Sequence, residues 1–317
     1  MVFSNQKRHV FAASALLLAL LTLSACSGGT DTASTARATS TAASTAAFAT
    51  ATTAATTTAV TTTTVVTTTA TTRALRNGNY ENQPYSESEQ KGIYSGAYVD
   101  DLREGYGEFR FDNGEVYAGY WENDRMNGEG EYIIPGEGSY HAVFRDGVMD
   151  ESDVTILYED GQVYSGSLKD GIYDGNGRLE TKGYRYAGGF AGGLREGWGR
   201  MEWPNGDWYE GEFTADVRSG WGTYYFASSG DKYEGQFVDG QRTGTGTYHY
   251  ADGSVFEGDF ADGKRVTGTL TFAGGDWMQG DFPGGVASGD YFYYDASEES
   301  YRWVHYENGK FSHWLAE

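Results

Sequence analysis

An aromatic or bulky apolar residue opens a short motif at Tyr94, Tyr117, Tyr140, Tyr164, Tyr186, Tyr209, Tyr233, Phe256 and Met278, with a partial tenth start at Tyr301. Successive starts lie 22 to 24 residues apart. A period that regular predicts one supersecondary unit copied along an axis, each copy burying its apolar face mainly against its neighbours. Such a chain offers a long surface and rarely a deep pocket.

The second copy shows how one unit builds a hairpin. It reads Tyr117-Ala118-Gly119-Tyr120-Trp121, a loop through Asn127, then Gly128-Glu129-Gly130-Glu131-Tyr132-Ile133-Ile134. Strands place alternate residues on one face, so Tyr117, Gly119 and Trp121 share a face with Gly128, Gly130, Tyr132 and Ile134. The glycines are expected to leave gaps into which neighbouring rings lie, which accounts for 46 glycines in a chain that reads as strand. Turn dipeptides that accept positive φ, such as Asn113-Gly114, Asp160-Gly161, Asn205-Gly206 and Asp252-Gly253, separate the runs and signal hairpins.

On these residues the unit resembles the MORN repeat, whose pattern runs Tyr-x-Gly-x-Trp, a gap, then Gly-x-Gly. The match is closest at Tyr94 to Tyr98 with Gly105-Tyr106-Gly107, at Tyr186 to Phe190 with Gly197-Trp198-Gly199, at Tyr209 to Phe213 with Gly220-Trp221-Gly222, and at Tyr233 to Phe237 with Gly244-Thr245-Gly246. The third copy departs from it, with Ala142 at the usual glycine and Glu151-Ser152-Asp153 in place of Gly-x-Gly; the eighth and ninth keep only Gly268 and Gly289 of that pair. The resemblance implies an all-β fold, an elongated, twisted antiparallel sheet of tandem β-hairpins. It also implies a module for protein assembly or membrane association.

Three segments follow: a signal peptide over 1–25, a stalk over 26–79 and a repeat domain over 80–317 that ends in a cap. Lys7 and Arg8 precede an apolar run from Val10 to Leu23, a pattern of export signals that is too short for a mature spanning helix. Leu23-Ser24-Ala25-Cys26 resembles the lipobox of bacterial lipoproteins, which implies cleavage before Cys26 and a diacylglycerol on its sulfur. Cys26 is the single cysteine, so no internal disulfide competes for it. Two acyl chains, at about 0.8 kcal/mol per buried CH2, hold a protein stably on a membrane. Residues 27–74 are almost wholly Thr, Ala and Ser, a composition that predicts a disordered stalk spanning on the order of 40 Å. The expected location is the outer face of a bacterial cell membrane, or an outer membrane where one exists.

The net charge of the chain is −22. Setting aside Lys7, Arg8, Arg37, Arg73 and Asp31 leaves 19 basic and 44 acidic residues in 75–317, a net of −25. That balance excludes nucleic acid and direct binding of anionic lipid by the repeats. A metalloprotease His-Glu-x-x-His motif and a Gly-x-Ser-x-Gly nucleophile are both absent, so no enzyme, catalytic residue or cofactor is expected beyond the lipid. Acids crowd the hairpin loops; Asp146, Asp150, Glu151 and Asp153 form the densest group and the weak candidates for calcium, against solvated loops as the alternative.

Residues between the paired glycines point away from the glycine-bearing face. Tyr106, Trp198 and Trp221 should therefore emerge on the opposite face with Trp208, beside Glu210, Glu212, Glu234, Glu257 and Asp259. Exposed rings next to carboxylates suit a partner protein carrying Arg and Lys, or a cell-wall glycan as the alternative. Cross-strand pairing accounts for the same rings without a ligand. The stretch from Tyr301 to Leu315 is expected to cap the last hairpin, and an uncovered edge would give end-to-end homodimers.

Overall fold

The structure, a computed structural model, describes residues 75–86 and 90–315. The signal segment, Cys26 and the Thr-rich stretch through residue 74 lie outside the described residues. From Gly78 to Trp314 the chain forms one long open antiparallel sheet of 22 strands. Apart from one split strand, successive strands pair in chain order, from Gly78–Tyr85 on Gly92–Val99 to Ser300–Glu307 on Lys310–Trp314. The expected all-β meander of hairpins is what forms, and the only helical turn among the described residues is Pro283–Gly285.

The core is a single layer of rings on one face. Every motif start from Tyr94 to Met278 is buried, and so is the residue four positions later, from Tyr98 and Trp121 through Phe260 and Phe282. Rings of successive copies interlock edge to face: Tyr94 on Trp121, Tyr117 on Phe144, Tyr186 on Phe213, Tyr209 on Phe237, Tyr233 on Phe260 and Phe256 on Phe282, with centroids 4.8 to 5.5 Å apart. Contacts of that geometry contribute about 0.5 to 1.5 kcal/mol beyond burial. Each copy thus completes the core of the one before it.

The glycines divide into two roles. Gly211 and Gly222 are register partners, and the Tyr209 ring lies over both: a Cβ on Gly211 would stand 2.5 Å from the Tyr209 Oη. The first glycine of the Gly-x-Gly pair does something else. Gly105, Gly128, Gly197, Gly220 and Gly244 have φ between 53° and 107°, and a Cβ at Gly105 or Gly197 would meet nothing within 4 Å. They open a two-residue bulge, where the pairing Gly211 with Gly222 steps to Glu212 with Ser219. The expectation that all these glycines make room for rings is corrected accordingly; this first one supplies a left-handed backbone. The eighth copy lacks it, and its register shifts by a single residue between Asp259 and Phe260.

An aspartate at the second position marks the tight turns. Asp100-Asp101, Asn123-Asp124 and Ala215-Asp216 have φ of 46° to 72° at both positions, the pattern of a two-residue hairpin turn of the primed kind. In Asn113-Gly114 and Asn205-Gly206 only the glycine is left-handed, and these link one copy to the next.

The third copy is where the sheet breaks. Its second strand is split into Val148–Met149 and Val154–Tyr158, both pairing with Gly138–Arg145. Ala142 stands where the other copies have glycine, and the Tyr140 hydroxyl donates to the Glu137 carboxylate rather than to a carbonyl three residues on. At the other end, the stretch expected to cap the last hairpin forms two further strands, Ser300–Glu307 and Lys310–Trp314. Each residue of Lys310–Trp314 is exposed.

Candidate interaction surface

The bulges decide which side chains leave the sheet. In Leu194–Glu202 and Val217–Phe226 the residue between the glycines is extruded opposite the core, leaving Trp198 59% and Trp221 52% exposed. Trp198 is the register partner of Glu212, and one Glu212 carboxylate oxygen accepts the Trp221 backbone N–H at 3.0 Å. Trp198 and Trp221 thus stand on the two strands that flank Glu212. Tyr106 is 63% exposed and packs edge to face on Tyr120, centroids 5.6 Å apart.

Trp208 is half-buried. Its ring lies near-parallel to Tyr225 at 5.7 Å, and the Arg200 guanidinium carbon sits 4.4 Å from the ring centre. Arg200 donates in turn to Glu202 and Glu210, each at 2.9 Å. The next hairpin repeats the motif without an indole: Lys232 and His249 approach Glu234 at 2.8 and 3.0 Å. The Lys232 hydrogen bond holds Glu234 below the usual carboxylate range, partly opposed by burial and supported by His249. Of the four expected rings, the structure groups Trp198 and Trp221 about Glu212 and places Tyr106 apart.

Three of the four acids of the third copy turn to different partners. Asp146 faces Arg125 at 3.5 Å, Asp150 accepts from Arg145 at 3.2 Å, and Glu151 accepts the Gly171 N–H at 2.8 Å. Hydrogen bonding from Ser152, then from Arg145, holds Asp150 below its ordinary range. Among the described residues no group of three His, Cys, Asp or Glu is arranged to hold a metal ion, and Asp153 joins none.

The core tyrosines are donors. Tyr117, Tyr164, Tyr186, Tyr209 and Tyr233 each send their hydroxyl to the carbonyl three residues on, at 2.6 to 3.1 Å. Burial pushes the Tyr186 phenol up to about 12 against a partial pull from Arg195, and the Tyr233 phenol up to about 12 against a pull from Arg242. The buried hydroxyls serve as hydrogen-bond donors within their own repeats.

Sequence reasoning missed a second aromatic group at the far end of the outward face: Trp277, Phe292, Tyr294, Tyr301 and Trp303. Its signal is the alternation Phe292-x-Tyr294 and Tyr301-x-Trp303, hidden because glycine pairs no longer mark the copies there.

Fold and surface together define a tandem-hairpin repeat protein with rings and carboxylates on its outward face. Seven stretches, residues 94–116, 117–139, 164–181, 186–208, 209–230, 233–255 and 256–277, match the family model described as MORN repeat. The chain carries seven MORN repeats, and the stretch passed over between 139 and 164 is the broken third copy. The chain is also similar to Alsin of Mus musculus and Alsin of Homo sapiens, 29% identical over 132 residues, which is 31% of this chain and 8% of either relative. It therefore spans less than a tenth of the length of those proteins. Among solved structures it is similar to the SAS-4 TCP domain of Drosophila melanogaster in complex with a proline rich motif of Ana2, at a TM-score of 0.33 and 15% identity, covering 48% of this chain and 84% of that one. The repeat match indicates a repeat-based interaction or scaffold module and points to no catalytic family.

Proposed function

We propose that this chain is a non-enzymatic scaffold, held on the outer face of a bacterial membrane by a lipid on Cys26, whose repeat sheet captures a protein partner. The observation that carries the reading is the extrusion of Trp198 and Trp221 on either side of Glu212, which presents aromatic contact area next to negative charge. Aromatic residues are enriched in the cores of protein interfaces, and a guanidinium from the partner would find both a ring face and a carboxylate. The net of −25 over residues 75–317 favours a basic protein surface and disfavours phosphate-bearing partners.

Capture tests the partner. A pull-down from solubilised membranes with the wild-type chain should recover a protein that the Trp198→Ala, Trp221→Ala double variant loses by roughly tenfold or more, since two exposed anchors are removed without touching the core. Equal recovery by both sinks the assignment of this surface.

Attachment is tested separately. Cys26→Ser should move the protein from the membrane fraction to the soluble fraction and abolish incorporation of labelled fatty acid; a variant that still sediments with vesicles refutes the lipid anchor.

The free edge of Lys310–Trp314 leaves Phe311 and Trp314 exposed on the core face, where a following copy would cover them. A second chain pairing there, antiparallel, would supply that cover. Light scattering on a size-exclusion column should report a dimer that Ser312→Pro returns to monomer, and a wild-type monomer at high concentration is the contrary result.

A further inference from the structure

We propose that the outward face over Trp277–Asp281, Gly289–Asp295 and Ser300–Glu307 is a stacking site for a neutral oligosaccharide, a binding activity beyond the scaffold role. Five rings meet there. Trp277 pairs in register with Tyr294 and Tyr294 with Tyr301, while Phe292 pairs with Trp303. Trp277 and Tyr294 are near-parallel at 5.8 Å, Phe292 and Tyr301 near-parallel at 5.6 Å, and Tyr294 and Tyr301 lie 4.8 Å apart. Cross-strand pairing would explain rings that cover one another. Yet Tyr301 is 59% and Trp303 53% exposed, so the group presents apolar surface to water.

Its extent chooses the ligand. The terrace spans three strands and one two-residue step, about 10 Å by 7 Å from strand spacing and rise. A stable protein interface needs roughly 20 to 30 residues a side, whereas the strands that lead away from this terrace carry Thr269, Thr267, Glu257 and Asp259 outward. The footprint fits two or three sugar rings, whose C–H faces lie flat on aromatic rings.

Polar groups suited to sugar hydroxyls stand at the rim. Gln279 is the register partner of Phe292, and His305 Nδ1 meets Asp290 Oδ1 at 2.5 Å one step along the strands. Neither Lys nor Arg occupies an outward position on these three strands, and Asp281 and Asp290 add negative charge. Uronate, sulfate and phosphate groups are therefore repelled, which leaves neutral sugars.

Calorimetric titration of the full chain in detergent with cellohexaose, maltohexaose and N-acetylchitohexaose tests the site. Saturable binding of at least one is expected, weakened roughly tenfold or more by Tyr301→Ala with Trp303→Ala and unchanged by Trp198→Ala with Trp221→Ala. Trp303→Phe, which keeps a ring, should retain most of the affinity and serves should the double variant lose its strand signal in circular dichroism. No heat with any of the three sugars overturns the proposal, as does an affinity that survives the loss of both rings. If the double variant instead loses the protein recovered by pull-down, the terrace is a protein face and the proposal fails; a lost sugar with a retained partner separates the two readings.

Discussion

Replacing Gly222 by alanine is expected to unfold its hairpin, although alanine normally stabilises a strand relative to glycine by about 0.5 to 1 kcal/mol. Gly222 does not have a left-handed backbone, so conformation permits the change. Space does not: the new Cβ would stand 2.5 Å from Tyr209 Cε2. The ring cannot retreat, because its hydroxyl is held by the Glu212 carbonyl at 2.9 Å and it is wedged between Phe213 and Phe237, centroids 5.2 and 5.0 Å away. Overpacking of this kind costs about 1 to 3 kcal/mol, more than the strand gain. Gly197→Ala is the contrast, since its Cβ meets nothing and only its φ of 70° is strained, at about 1 to 2 kcal/mol. Hydrogen exchange should rise across residues 208–226 in Gly222→Ala, and Tyr209→Leu should relieve the defect in the double variant. Unchanged protection in Gly222→Ala refutes the ring-over-glycine account.

That account was largely legible in the chain. The period, the face shared by Tyr209, Gly211 and Phe213, and the outward position of Trp198 and Trp221 all follow from alternation. Alternation is blind to backbone sign, so it gave both glycines of Gly220-Trp221-Gly222 the same task, whereas the first has a φ of 53° and turns the chain. It also failed where glycines run out: past Met278 the copies hold Tyr291 and Val304 in the core but carry no glycine pair, and the terrace around Trp303 went unread. From sequence, acids that crowd the hairpin loops read only as solvated charge or weak calcium candidates. Asp101, Asp124 and Asp216 instead sit left-handed in two-residue turns and accept hydrogen bonds from an arginine 21 to 25 residues earlier, a relation no local pattern exposes.

Arginines tie one copy to the next at six junctions. Arg76, Arg103 and Arg195 reach the turn carboxylates of Asp101, Asp124 and Asp216, while Arg218, Arg242 and Arg265 donate to the carbonyls of Gly240, Gly263 and Gly285, where the acceptor residue has no side chain. Arg103 is the most buried, at 1% exposure. Its Nε meets Asp124 Oδ1 at 2.7 Å, its Nη2 donates to the Asp124 carbonyl and to Gln90 Oε1 at 2.9 Å, and its guanidinium carbon lies 3.8 Å from the Trp121 ring centre and 4.2 Å from Tyr85. Arg103→Ala removes the charge, the ring contacts and the link between two hairpins together, at an expected cost of about 3 to 5 kcal/mol. Arg218→Ala loses one charge-assisted bond to a carbonyl, at about 1.5 to 3 kcal/mol. Arg103→Lys keeps the charge but not the forked geometry, so it should fall between wild type and Arg103→Ala. Urea unfolding followed by tryptophan fluorescence ranks them. If Arg103→Ala unfolds at the same urea concentration as wild type, the arginine ladder does not hold the copies together, and ring packing alone carries the sheet.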